Sequence, residues 1–390
     1  MSVLLLILGL LLFVSLVVVH EFGHLVAARR NGVEAEEFGI GFPPRAWQKK
    51  LKSGLLLSVN WLPLGGFVRL KGEHDADTTP GSYGAASLWA KAKIMLAGVG
   101  MNLLTAWLLL ILLALVGLPK LIDNQFSIQH NAHIVKQEVL VGYIEPGSPA
   151  EKAGLQTRDQ ILRISDANAK ELAVCVKTNF TQCPARDELH SASELPAETK
   201  KYAGQMTTLL FKRGGVERTI QVTLRSKSEV EASLKTDNPK GYLGIVPTEY
   251  VLQRYTWSAP LEAAGLIVQF TKLTFQGLGH ALAGLFSGNT AQATEQVSGP
   301  VGIVVLLKDG SLLGYQFILM IVAVISLTLA IMNALPIPAL DGGRLFVTLL
   351  FRAIKKPLTN RKEEWIHGTG FALLMVLFVL ITIVDVKRFF

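Results

Sequence analysis

The sequence predicts a polytopic α-helical membrane protein, with four transmembrane helices, a β-loop between the first two and one small α/β domain inserted between the second and third. Three observations predict this. Half of the 390 residues are hydrophobic, and the mean hydropathy is positive. The excess is concentrated in four uncharged stretches, Ser2–Val19, Ile94–Pro119, Gly310–Leu340 and Gly368–Val384. A bilayer core of about 30 Å takes roughly 20 helical residues to cross. Lastly, the net charge of +8 is carried mainly by two loops.

The first helix is expected over residues 1–30. Its apolar part lacks a basic leader and a small-residue cleavage site, so it is expected to stay as a span rather than be removed as a signal peptide. The helical pattern runs on through His-Glu-Phe-Gly-His-Leu-Val-Ala-Ala-Arg-Arg. Residues 31–92 form a glycine-rich section in which LLLSVNWLPLGGFVRLKGE has two hydrophobic runs broken at Leu64-Gly65-Gly66, a strand–turn–strand pattern. β-Structure next to spans must be shielded by protein or face a water-filled cavity.

The second helix is expected within 93–119. Residues 120–250 are a mixed segment with a small globular domain at about 138–225. Its clearest section is VGYIEPGSPAEKAGLQTRDQILRI. The expected order is a strand, a Pro-Gly turn, a short helix from Ser148 or Pro149, a glycine cap at Gly154 and a second strand. Gly214-Gly215 marks a hairpin turn further on. Within 251–312, residues 256–285 carry spaced apolar side chains and few charges, and read as an amphipathic helix on the membrane surface or packed on the soluble domain. The third helix lies within 313–343, a loop occupies 344–365, and the fourth helix lies within 366–390.

Between Arg29 and Lys93 stand ten Lys/Arg against six Asp/Glu, and between Arg344 and Glu364 six against two. With four spans these two loops share a side, which the positive-inside tendency makes cytoplasmic. The N-terminus, the 120–309 segment and the C-terminus then lie outside. A basic chain also suggests nucleic-acid binding, but here the charge flanks spans instead of forming a soluble basic face, so no nucleic-acid partner is expected. The two cysteines, Cys175 and Cys183, fall in the outside segment. They are either disulfide-bonded or free thiols, and they are too few for a cysteine metal cluster.

His20-Glu21-Phe22-Gly23-His24 has the H-E-x-x-H spacing. Four residues make just over one helical turn, so both imidazoles share a face and can reach one Zn²⁺. Glu21 projects beside them, where it can act as a general base on the attacking water. Two histidines and a glutamate at the end of an apolar helix are costly in lipid without a purpose. A catalytic zinc needs a third protein ligand and one open position. Asp341 stands out, in Asn333-Ala334-Leu335-Pro336-Ile337-Pro338-Ala339-Leu340-Asp341-Gly342-Gly343. The prolines break the third helix and the glycine pair permits a tight turn. By the topology above, all three ligands lie toward the cytoplasmic side.

Taken together, HEFGH, GFPPR, LPLGGFVRLKGE and NALPIPALDGG, in that order along nearly the whole chain, resemble the site-2 protease family. More narrowly, they resemble the bacterial zinc proteases of regulated intramembrane proteolysis that carry a periplasmic PDZ domain. The resemblance implies that His20, His24 and Asp341 bind zinc and that Glu21 is the catalytic acid/base. It implies that LPLGGFVRL, with Gly65 and Gly66, is a membrane-associated β-loop that helps present substrate. The family's G-x-x-x-N motif is Gly98-Val99-Gly100-Met101-Asn102 here, with Val99 where relatives usually have proline. Asn102 and Asn333 are then expected at the substrate backbone or the developing oxyanion. Either asparagine can equally be interhelical hydrogen-bond glue.

The inserted domain resembles a single PDZ domain, which binds peptides or chain ends by strand addition. It departs from that pattern at Arg158, where a glycine is usual, and in an insertion at about 167–198. The expected partners are single-pass transmembrane substrates and the lipid bilayer, and the expected location is a bacterial inner membrane. A membrane scaffold using the PDZ-like domain is the alternative, but a scaffold needs neither HExxH nor LDG. A metal transporter is disfavoured because the uncharged stretches of the other spans carry no further histidines or acids.

Overall fold

The computed structural model describes residues 2–122, 124–166, 189, 191–236, 238–287 and 299–390. Cys175, Cys183 and most of the expected 167–198 insertion lie outside the described residues. The helices, in chain order, are α1 (Ser2–Arg30), α2 (Leu88–Val116), α3 (Pro149–Ala153), α4 (Leu195–Lys201), α5 (Lys227–Ser233), α6 (Ala259–Phe286), α7 (Pro300–Ser311), α8 (Tyr315–Ala334), α9 (Asp341–Ala353) and α10 (Asn360–Phe389). The strands are β1 (Ala35–Lys50), β2 (Leu56–Leu70), β3 (Leu118–Pro119), β4 (His133–Ile144), β5 (Gln160–Asp166), β6 (Met206–Arg213), β7 (Val216–Thr223) and β8 (Ile245–Arg254). They form two compact units, one made of residues 1–118, 122–132 and 255–390, the other of 119–121 and 133–254.

In the larger unit, four helices among the described residues are long and apolar enough to cross a membrane: Val3–Arg30, Leu88–Val116, Tyr315–Ala334 and Asn360–Phe389. Each overlaps one of the apolar stretches of the sequence. The third stretch does not continue as one helix to Leu340. It stops at Ala334, because Pro336 and Pro338 cannot continue the hydrogen-bond ladder, and Asp341 opens a new helix, α9.

Small residues let these helices approach closely. Ala106 of α2, Ala263 of α6 and Ala323 of α8 are fully buried in one cluster with Leu110, Leu266 and Leu327. Leu16 of α1, Leu307 of α7 and Ile318 and Val322 of α8 form a second. The helix expected over 256–285 forms as α6, and one of its faces is buried against α2 and α8. Large apolar side chains remain outside, such as Phe371, Leu373 and Val376 of α10. Such a surface is matched by lipid and would aggregate in water.

The two runs of the β-loop do not form the simple strand–turn–strand that the sequence suggested. Residues 66–70 pair antiparallel with 35–40, as in Phe38 with Val68. Residues 56–59 pair with the other side of 37–40, the partners rising together from Glu37–Leu56 to Ile40–Val59. The second half of β1 then folds back on the first part of β2, from Arg45–Asn60 to Lys50–Leu56. The first half of β1 is therefore central, and residues 66–70 are on an edge among the described residues. Glu37 is 2% exposed and accepts bonds from Ser58 Oγ and Arg45 Nη2, each at 2.7 Å. Burial pushes its carboxyl up, but the Ser58 hydroxyl and the Arg45 guanidinium outweigh burial and hold it below its ordinary value.

The smaller unit is a six-stranded sheet in the order β3-β8-β4-β5-β6-β7. The short helix is α3, capped by Ser148 Oγ at its start and by Gly154 at φ 83° at its end. The β6–β7 hairpin turns through Gly214 and Gly215, both at positive φ, as that two-residue turn requires. Arg158 also has positive φ (73°), the conformation for which glycine is the usual residue. The unit is wider than the 138–225 span expected, because β4 starts at His133 and pairs along its length with β8, which ends at Arg254. That pairing joins segments more than a hundred residues apart, so local patterning does not reveal it.

Candidate metal centre

The last third of α1 carries His20 and His24 one turn apart, 7% and 4% exposed. Their Nε2 atoms are 3.1 Å from each other. Asp341 Oδ2 completes a triangle, 3.0 Å from His20 Nε2 and 3.2 Å from His24 Nε2. Asp341 reaches this point because the chain between α8 and α9 turns back sharply. A Cβ on Gly342 would meet the Ala334 carbonyl, and one on Gly343 the Ile337 carbonyl. Ala339 takes positive φ (80°), and its N–H donates to His367 Nδ1 of α10 at 3.1 Å.

α2 backs the histidines. The Ile94 carbonyl accepts from His24 Nδ1 at 2.7 Å. A Cβ on Gly98 would lie 2.7 Å from His20 Nε2 and closer still to His24 Nε2, so only glycine leaves room for both rings. Gly23 of α1 gives the same freedom in return, since a Cβ there would meet the Ala97 carbonyl at 2.6 Å. Asn102, 1% exposed, puts its side-chain amide 3.2 Å from His20 Nδ1.

This donor set fits a zinc ion. Ligands placed tetrahedrally at about 2.0–2.1 Å from zinc stand roughly 3.3 Å from one another. The three donors here, two imidazole nitrogens and a carboxylate oxygen, are separated by 3.0–3.2 Å. They can occupy one face of such a tetrahedron, which leaves its fourth corner open.

Glu21 follows His20 on α1, and its Oε2 accepts from the Val68 N–H of the 66–70 edge at 3.0 Å. Gly66 lies on the same edge; a Cβ there would sit 3.5 Å from Glu21 Cγ. Gly65, at φ 96°, packs instead against the Phe42 ring, so its part is conformational. Asn333 is half-buried, and its amide donates to Leu329 O of its own helix at 3.0 Å. The structure thus gathers His20, Glu21, His24, Asp341, Asn102 and Gly66, and turns Asn333 and Gly65 elsewhere. The Ile94 carbonyl, the Val68 N–H and His367 were not singled out from sequence. The first two are backbone groups that every residue carries, and no residue type signals them.

The profile described as "Peptidase family M50" matches residues 8–377. A Clostridium perfringens protein assigned as a zinc metalloprotease is 28% identical over 383 residues, covering 97% of each chain. The zinc metalloprotease RasP of Geobacillus kaustophilus is 24% identical over 466 aligned positions, covering 98% of this chain and 97% of its own. A protein of Enterococcus faecalis named as the protease eep is 25% identical over 450, covering 98% of both.

Proposed function

This chain belongs to peptidase family M50 and is a zinc metalloendopeptidase of the site-2 type in a membrane, and from that premise we propose that it hydrolyses peptide bonds within or next to transmembrane segments. The observation that carries this reading is the convergence of His20 Nε2, His24 Nε2 and Asp341 Oδ2 at the end of an apolar helix. These three are the zinc ligands and Glu21 is the general acid/base. Zinc, when bound, supplies a Lewis acid that polarises the scissile carbonyl and acidifies water. Glu21 takes the proton of the attacking water and passes it to the leaving nitrogen.

A transmembrane substrate must unwind to expose a carbonyl, which frees backbone groups that lipid cannot satisfy. The 66–70 edge runs beside Glu21, so an extended segment paired to it would regain those bonds next to the catalytic carboxylate. Gly66 leaves that edge open to close approach, and Gly65 sets its bend. Asn333 stands at the helix end that leads to Asp341, and its amide meets the substrate backbone by exchanging its bond to Leu329 O for one to the substrate.

The chain spans the bilayer four times, with the N-terminus, the smaller unit and the C-terminus outside a bacterial inner membrane. The charge of the 29–93 and 344–364 loops supports that orientation. The smaller unit acts as a PDZ-like module for a peptide or chain end, or as a filter on substrate size. Its order of strand, Ser-capped helix, Gly154 turn and strand supports the likeness. Single-pass proteins such as anti-sigma factors or remnant signal peptides are the substrate class.

Zinc analysis of the purified full-length protein tests the reading. About one zinc per chain, lost or strongly weakened in Asp341→Ala, is expected. Absence of zinc from the reconstituted wild type would favour the inactive scaffold.

A further inference from the structure

Ile94, Gly98 and Asn102 stand one turn apart along one face of α2, and all three address the histidine pair. Ile94 O accepts the Nδ1–H of His24, so that ring turns an unprotonated Nε2 toward Asp341. His20 is held to the same requirement. Its Nε2 faces His24 and Asp341, which fixes the ring's orientation, and a neutral ring that offers Nε2 to a metal carries its proton on Nδ1.

The group that meets Nδ1 is the Asn102 amide nitrogen, at 3.2 Å. Two donors cannot bond to each other. Asn102 Oδ1, meanwhile, is buried without a hydrogen-bond partner. Oxygen and nitrogen of an amide have nearly the same shape, and a half-turn exchanges them. That exchange brings Oδ1 to Nδ1 and removes the conflict, leaving the amide nitrogen where the oxygen stood. The backbone at this point is itself clamped, since Ser326 Oγ of α8 donates to Asn102 O at 2.8 Å.

We propose that Asn102, through its side-chain carbonyl, holds His20 in the Nδ1–H form and so aims the His20 Nε2 lone pair at zinc. This rests on the reading of His20 as a zinc ligand. Asn102 is a positioning residue here: it meets Nδ1, on the side of the ring away from the Nε2 that faces Asp341. The paired G-x-x-x-N residues then have one purpose, Gly98 making room for the rings and Asn102 fixing one of them.

The test is zinc affinity, measured on the full-length protein in detergent by titrating metal-depleted protein with Zn²⁺ against a chromophoric chelator. Asn102→Leu, similar in shape and without an acceptor, is expected to bind zinc about ten- to a hundredfold more weakly, the range for loss of a ligand's outer partner. Asn102→Asp, which can only accept, is expected to stay within a few-fold of wild type. Wild-type affinity in the Leu variant would overturn the proposal. So would an Asp variant as weak as a broken contact, because the amide N–H would then be the working group. If the Leu variant does not fold, the Asp variant alone decides. A wild type that holds no zinc would instead overturn the reading of the site as a zinc centre.

Discussion

His20 Nε2 and Asp341 Oδ2 lie 3.0 Å apart although 321 residues separate them in the chain. The contact joins the end of α1 to the start of α9, and it exists only because α8 stops at Ala334 and the chain reverses before Asp341.

Gly98 and Gly100 form a matched pair. A Cβ at Gly98 enters the space of both imidazoles, whereas one at Gly100 meets nothing within 4 Å. Overpacking a fixed site costs about 1–3 kcal/mol. Gly98→Ala is expected to weaken zinc binding about ten- to a hundredfold, and Gly100→Ala to leave it unchanged and slightly stabilise α2. Equal affinities in the two variants would show that α2 does not confine the rings.

Glu21→Gln keeps the shape of the side chain and removes its basicity. Hydrolysis of a transmembrane substrate is expected to fall about 10²–10⁴-fold. Zinc content should match wild type, since the three converging donors are untouched. Loss of zinc together with activity would make Glu21 part of the metal's own shell.

The Val68 N–H points off the sheet edge to Glu21 Oε2. Proline at an edge position whose N–H leaves the ladder is tolerated by the sheet. Val68→Pro should therefore fold and hold zinc, while kcat falls about ten- to a hundredfold as the carboxylate loses a charge-assisted bond worth roughly 1.5–3 kcal/mol. Unchanged turnover would show that this bond does not orient Glu21 for catalysis.

Glu37 gives the β-loop a pH dependence. Its folded carboxyl is held below the ordinary value, so folding favours the ionised form. That contribution is present above the unfolded value of about 4.3 and is lost as pH falls through the lower folded value. Limited proteolysis of the 35–70 region should accelerate at acid pH in the wild type. In Glu37→Gln it should be fast already at neutral pH and vary less. Equal cleavage of the two proteins at neutral pH would show that the buried ion pair does not hold the loop together.

The four long helices were legible because lipid demands long apolar runs, and the LDG turn because proline and glycine act locally. The H-E-x-x-H spacing reports a shared helix face for the same reason. The β-loop was half legible. Leu64-Gly65-Gly66 marks a break, but nothing in 56–70 shows that residues 35–40 insert between its two runs. Strand β1 itself passes through Pro43-Pro44, which masks its pattern. The inserted unit was underestimated because β4 and β8 define its edges only through each other. The motif letters Gly98 and Asn102 marked α2 but not its tight packing on the histidines, and the Ile94 carbonyl has no letter of its own.

The long separation of His20 from Asp341 also sets a clock. At about 5–20 residues per second, synthesis adds Asp341 roughly a quarter of a minute to one minute after His20. Until then the two imidazoles have no carboxylate to close their triangle, and a chain that stalls before α9 never acquires one. On the reading of that triangle as the zinc site, the order of synthesis keeps the hydrolase inert among half-inserted membrane proteins until α9 is made.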